Sequence, residues 1–168
     1  MQQLNHLVWL FAVVLLSSCT TTIYLVRHAE RADITDNSLL SDAGHARAAI
    51  LRDTLLDKQI KQIFTSTYTR TQQTAAPLAS ALGIDPILGR YNNDTIPGFV
   101  KRLKGIRNQS VLVVAHSHTL PGIIDLLCGE TVSVTGNDFD NMFIVKFRHS
   151  LGKTRKSLVQ TTYGPPSP

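Results

Sequence analysis

Apolar residues fall in two alternating patterns along most of this chain. Continuous runs rich in β-branched residues, Thr22–Val26 (TIYLV), Ile60–Thr65 and Ser110–Ala115 (SVLVVA), read as buried strands. Between them apolar residues recur at helical spacing. Ser41 is a good N-cap for a helix from Ala43 to Leu56, whose apolar positions include Ala46, Ala49, Ile50 and Leu56. Thr69–Leu82 predicts a second helix with Gly83 as its C-cap, and Pro77 inside it predicts a kink or a late restart. Ile84–Leu88 reads as a short strand, Asp94–Gly98 as a loop and Phe99–Arg107 as a short basic helix. Thr119–Leu127 reads as a helix with Pro121 in its first turn. Met142–Phe147 and Ser157–Thr162, joined at Gly152, read as a hairpin on a sheet edge. The pattern predicts one three-layer α/β domain: a mainly parallel sheet, helices on both faces and a C-terminal edge hairpin.

The first residues follow neither pattern. Leu7–Leu16 (LVWLFAVVLL) is ten apolar residues without charge, too short to cross a bilayer and suited to a signal-peptide core. Leu16-Ser17-Ser18-Cys19 resembles a bacterial lipobox, which implies cleavage before Cys19 and lipidation of its thiol. The expected organisation is a signal peptide over 1–18 and one domain over 19–168, anchored by lipid on the extracytoplasmic, periplasmic side of the envelope. Cys128 then remains as a small buried thiol, with a Cys19–Cys128 disulfide as the alternative.

Composition narrows the class. The 168 residues are 43% hydrophobic and 17% charged, which suits a folded domain and not a disordered chain. Seventeen Lys and Arg against 12 Asp and Glu give a net charge of +5, favouring anionic partners. Aromatics are only 7%, too few to interleave with basic residues on a nucleic-acid surface, so no nucleic-acid partner is expected. The cluster Lys153, Arg155 and Lys156 reads as a solvated turn.

In an open α/β sheet the ligand binds beyond the carboxyl ends of the strands. The first strand ends in Arg27-His28-Ala29-Glu30, the second in Thr65-Ser66-Thr67-Tyr68-Thr69-Arg70, the strongest in His116-Ser117-His118. Two arginines and two histidines therefore gather where such a sheet builds its site. Leu25-Val26-Arg27-His28-Ala29-Glu30 resembles the Arg-His-Gly signature of the histidine phosphatase (phosphoglycerate-mutase-like) superfamily, with Ala29 in place of Gly. Leu40-Ser41-Asp42-Ala43-Gly44, Ser66-Thr67-Tyr68-Thr69-Arg70-Thr71 and Val113-Val114-Ala115-His116-Ser117 follow in the same order, so the resemblance runs from Thr22 to Phe147.

The resemblance implies a phosphatase that hydrolyses phosphomonoesters or phosphoramidates through a phosphohistidine on His28, without metal or other cofactor. Arg27 and Arg70 would clamp the phosphoryl oxygens, and His116 would donate to them in the transition state. The proton donor is expected at Asp94, with Glu30 and Asp33 as runners-up; Glu30, Ser117 and His118 are expected to line the substrate. The substrate would be a small molecule, a glycolipid or a phosphoprotein. Only 24 residues separate Asp85 from Ser110, which implies an open site without a large lid. Two other readings stand beside this one. A non-catalytic phospholigand-binding lipoprotein would keep Arg27 and Arg70 and bind without turnover. A metal-dependent hydrolase would use the His116-x-His118 pair with His28 or Asp94, against the repulsion of the two arginines.

Overall fold

The computed structural model describes residues 19–150 and 152–167. The expected signal peptide, residues 1–18, lies outside the described residues. Six strands form one sheet: β1 (Cys19–Arg27), β2 (Ile60–Ser66), β3 (Ile87–Gly89), β4 (Ser110–Ala115), β5 (Asn141–Ser150) and β6 (Lys153–Thr162). Four helices accompany them: α1 (Asp42–Leu55), α2 (Thr69–Leu82), α3 (Ile96–Gly105) and α4 (Leu120–Cys128). The strand order is β3-β2-β4-β1-β5-β6. The first four strands are parallel, and the β5–β6 hairpin continues the sheet antiparallel from β1.

The central strands are apolar throughout because both faces are covered. In β1, Ile23 and Leu25 join a cluster with α3 and α4, while Tyr24 and Val26 join one with α1 and α2. Val111, Val113 and Ala115 of β4 face the first cluster, and Leu112 and Val114 face the second. Strand geometry sends successive side chains to opposite faces, so a strand buried on both sides loses the polar alternation of a surface strand. The expected three-layer α/β domain is the fold observed.

Element boundaries differ from the sequence reading where tertiary partners extend them. β1 begins at Cys19 because β5 pairs with it from Cys19↔His149 onward. α3 begins at Ile96, not Phe99, so Pro97 lies in its first turn and Ile96, Val100 and Leu103 form its buried stripe. The expected loop over 94–98 is therefore partly helix. α2 runs as one helix through Pro77; its buried residues Thr71, Thr74, Ala75, Leu78 and Ala79 lie on both sides of the proline and hold both halves to the sheet. Ser41 caps α1 through a bond from the Gly44 N–H to its Oγ (3.2 Å), and Gly83 ends α2 at φ +63°.

Candidate active site

β1 and β4 lie side by side, and the helices that follow them, α1 and α4, pack on opposite faces of the sheet. That arrangement opens a crevice at their carboxyl ends. Register brings the two histidines together there. Arg27 pairs with Ala115, and the His28 N–H donates to the Ala115 carbonyl (3.0 Å). His28 and His116 are the next residues on the two strands, and their rings meet edge to face with centroids 5.4 Å apart.

The His28 imidazole is held in one tautomer. Its Nδ1 donates to the Ala29 carbonyl (2.8 Å), so the lone pair is on Nε2. The Ala29 N–H is bound in turn by Thr74 Oγ1 (2.9 Å), which donates to the Arg70 carbonyl (2.7 Å). His116 Nε2 shares a hydrogen bond with Ser66 Oγ (2.9 Å), which also accepts from the Tyr68 N–H (3.3 Å) and meets Thr71 Oγ1 (2.8 Å). The buried His116 Nδ1 has no partner among the described residues. Burial, with the charges of Arg27 and Arg70, lowers both histidines to about 3. Both rings are neutral at pH 7, and His28 presents its lone pair on Nε2.

The arginines are fixed alike. Arg27 Nη1 donates to the carbonyls of Thr135 (3.1 Å) and Gly136, in the loop after α4, and its guanidinium lies 4.1 Å from the Phe139 ring centroid. Arg70 Nη1 donates to the Asp36 carbonyl, and its guanidinium lies 4.4 Å from the Tyr68 ring centroid. In both, the Nε N–H is buried and unpartnered among the described residues, leaving the Nε–Nη2 edge for a ligand. That edge is the planar fork that grips two oxygens of a phosphate. Burial, with the charge of Arg31 nearby, lowers Arg27 to about 10; it stays charged at neutral pH.

The structure thus brings Arg27, His28, Arg70 and His116 together, as the sequence predicts, and places the remaining candidates elsewhere. Glu30 is not available to substrate: Arg47, itself buried, holds its carboxylate through Nε (2.8 and 3.0 Å) and Nη2 (2.7 Å). Asp33 accepts from Thr35 in its own exposed loop. Asp94 is exposed in the turn before α3 and is not among the residues that line the cavity beside His116. His118 does line that cavity, stacked on His116 with centroids 5.4 Å apart, whereas Ser117 does not. Ala29 fits where the signature has Gly because its side chain is buried beside Leu40 and Ala48. Among the described residues no three His, Cys, Asp or Glu side chains are grouped to hold a metal ion.

Sequence reasoning missed the supporting residues Ser66, Thr74, Phe139 and the 135–138 loop. Ser66 lies inside a quoted motif, but its bond to a histidine 50 residues away leaves no local signal.

Comparison with known proteins agrees with this geometry. Residues 23–90 match the family model of the histidine phosphatase superfamily (branch 1). Solved structures with the same fold include the putative phosphohistidine phosphatase SixA from Agrobacterium tumefaciens, 20% identical, covering 86% of this chain and 98% of its own (TM-score 0.59). A SixA protein histidine phosphatase solved with tungstate is 18% identical, covering 84% of this chain and 96% of its own (TM-score 0.60). A mycobacterial glucosyl-3-phosphoglycerate phosphatase is 14% identical, covering 83% and 97% (TM-score 0.65). No curated protein matches the chain. The family match spans the strand ends that carry Arg27, His28 and Arg70, and the fold supplies His116 beside them: residues 23–90 are similar to the histidine phosphatase superfamily, and the whole domain shares the fold of the solved phosphatases.

Proposed function

We propose that this protein is a metal-independent phosphatase acting through a phosphohistidine on His28. The observation that carries the reading is the pair of buried, unpartnered guanidinium donors beside one imidazole lone pair: Arg27 Nε and Arg70 Nε, with His116 next to them. A buried donor without an acceptor costs about 1–3 kcal/mol, so a fold that keeps two of them together suits a ligand rich in acceptor oxygens. A phosphoryl group has that character. His28 Nε2 attacks phosphorus as the bond to the leaving group breaks, and the leaving group departs with the electron pair and takes up a proton. Water then attacks phosphorus as the N–P bond breaks; its proton passes to solvent, phosphate leaves, and the electron pair returns to His28 Nε2, restoring the neutral ring. The arginine forks stabilise the charge on the transferring oxygens, with the His116 ring beside them.

The substrate side of the reading rests on the carboxylates nearest His28 in sequence: Glu30 is held by Arg47, and Asp33 by Thr35. Leaving groups that depart with little help from an acid are therefore favoured: phosphoramidates, such as phosphohistidine in a protein, and esters of acidic alcohols. The A. tumefaciens neighbour, described as a phosphohistidine phosphatase, fits that choice.

Lipid anchoring at Cys19 in the envelope completes the reading, supported by the apolar run Leu7–Leu16 and by Cys19 opening β1 at the end of the sheet opposite the crevice. The test is hydrolysis of p-nitrophenyl phosphate and of a phosphoramidate, with and without EDTA, beside His28→Ala. EDTA-resistant turnover that falls at least about a thousandfold in His28→Ala, with acid-labile label trapped on the wild type, is the expected result. Turnover that survives the substitution, or that EDTA abolishes, overturns the mechanism.

A further inference from the structure

A cavity of about 520 Å³ opens beside His116, on the side away from β1's neighbours in the hairpin, and the phosphoryl chemistry does not account for its walls. Asn37, Tyr68, Arg90, Asn92, His116 and His118 are among its lining residues. Asn37 is oriented by the start of α2 and Asn92 by its own loop. Asn37 Oδ1 accepts from Thr69 Oγ1 (2.8 Å) and the Thr69 N–H (3.4 Å). Asn92 Oδ1 accepts from the Thr95 N–H (3.0 Å) and Thr95 Oγ1 (2.9 Å). A backbone N–H can only donate, so in each case the oxygen is the engaged atom and the NH₂ is left for a ligand. Arg90 adds a guanidinium that forms no ion pair among the described residues. No carboxylate is among the lining residues.

A wall that combines one cation with two amide donors, and no acid, selects for acceptor oxygens carrying negative charge. The phosphoryl oxygens themselves are matched by Arg27 and Arg70, so this wall meets a different part of the substrate. We propose that the cavity is a leaving-group subsite for a second anionic oxygen group, a carboxylate or a second phosphate, with Arg90 as its cation and Asn37 and Asn92 as neutral donors. This rests on the phosphatase reading above and narrows its substrate class to doubly anionic molecules. The same chemistry explains how an open site can discriminate: charge on the leaving group takes the place of an enclosing lid.

The test compares 4-carboxyphenyl phosphate with 4-carbamoylphenyl phosphate, and their meta isomers, which are alike in shape and differ in one charge. Dissociation constants are measured by calorimetry on the full-length His28→Ala protein in detergent, so the result does not depend on turnover. The carboxylate is expected to bind roughly tenfold tighter than the amide in at least one isomer pair, the advantage that one partly solvated charge-assisted contact confers. Arg90→Gln should abolish that preference and Arg90→Glu should reverse it. Equal affinities in both isomer pairs, or a preference that persists in Arg90→Gln, overturn the subsite. Turnover of the amide esters by the wild type is the separate arm: its absence would remove the phosphatase reading, while the affinity ratio still decides the subsite.

Discussion

His28 and His116 are the same residue type in nearly the same burial, and they are held through different ring atoms. The Ala29 carbonyl takes the Nδ1 proton of His28, while Ser66 Oγ is hydrogen-bonded to Nε2 of His116. Their shared depression to about 3 has a consequence for stability. The unfolded chain protonates each imidazole near 6.5, whereas the folded chain leaves both neutral until far lower pH. The unfolded state therefore binds more protons between those limits, and stability is full above about pH 6.5 and falls as the solution is acidified toward 3. By pH 5 each histidine that must stay neutral costs about 2 kcal/mol. Urea midpoints at pH 7.5 and pH 5 should show that loss, and His116→Gln should reduce it. A midpoint that does not move between the two values would contradict the burial of these rings.

At the scale of elements, the site depends on how closely α1 approaches the β1 exit. A Cβ on Gly44 would lie 2.2 Å from the Glu30 carbonyl oxygen, which is backbone and cannot swing aside. The same carbonyl accepts from the Ser41 N–H (3.0 Å), so the cap of α1 and the segment carrying His28 are joined at that point. Gly44→Ala should destabilise the protein by about 2–3 kcal/mol through overpacking and should lower activity as well, measured by denaturant unfolding and p-nitrophenyl phosphate turnover. A neutral result would mean that the helix and the nucleophile loop are not in contact. The C-terminal tail braces the other side of the site. Arg47 Nη1 donates to the Tyr163 carbonyl (3.1 Å) and to the Pro165 carbonyl (3.0 Å). Ser167 Oγ accepts from the N–H groups of Phe139 (2.8 Å) and Asp140 (3.0 Å), next to the ring that stacks on Arg27. These bonds span up to 118 residues and leave no trace in any local pattern.

The molecule as a whole is polar along its sheet. The crevice lies at the Arg27 end of β1, and Cys19 begins the strand eight residues earlier, about 26 Å away at strand rise. The β5–β6 turn falls at the Cys19 end, where Arg148 and Arg155 are directly opposed across the strands. If the chain is tethered at Cys19, its crevice faces away from the bilayer that holds it. The lipid-tethered protein should then hydrolyse a soluble ester within about twofold of the rate of the same protein in detergent. It should release little phosphate from a phosphorylated lipid in its own vesicle. Efficient hydrolysis of such a lipid would show that the domain lies down on the membrane.

Sequence by itself determined the layers and the chemistry. Strand runs without polar alternation announce a sheet covered on both faces, and arginines and histidines at three strand ends announce where its ligand binds. Both signals are local, because a strand's burial and the residues at its end are written in consecutive positions. Only the tertiary structure decided which of the neighbouring polar groups belong to the site. Glu30 stands two residues from His28 yet is held by Arg47 on α1, while Asp94 is exposed beside α3. Ser66, Thr74 and Phe139, from three separate segments, bind the His116 ring, the Ala29 N–H and the Arg27 guanidinium. Those roles depend on register and crossing elements, which bring distant residues within 3 Å and turn adjacent ones to opposite faces.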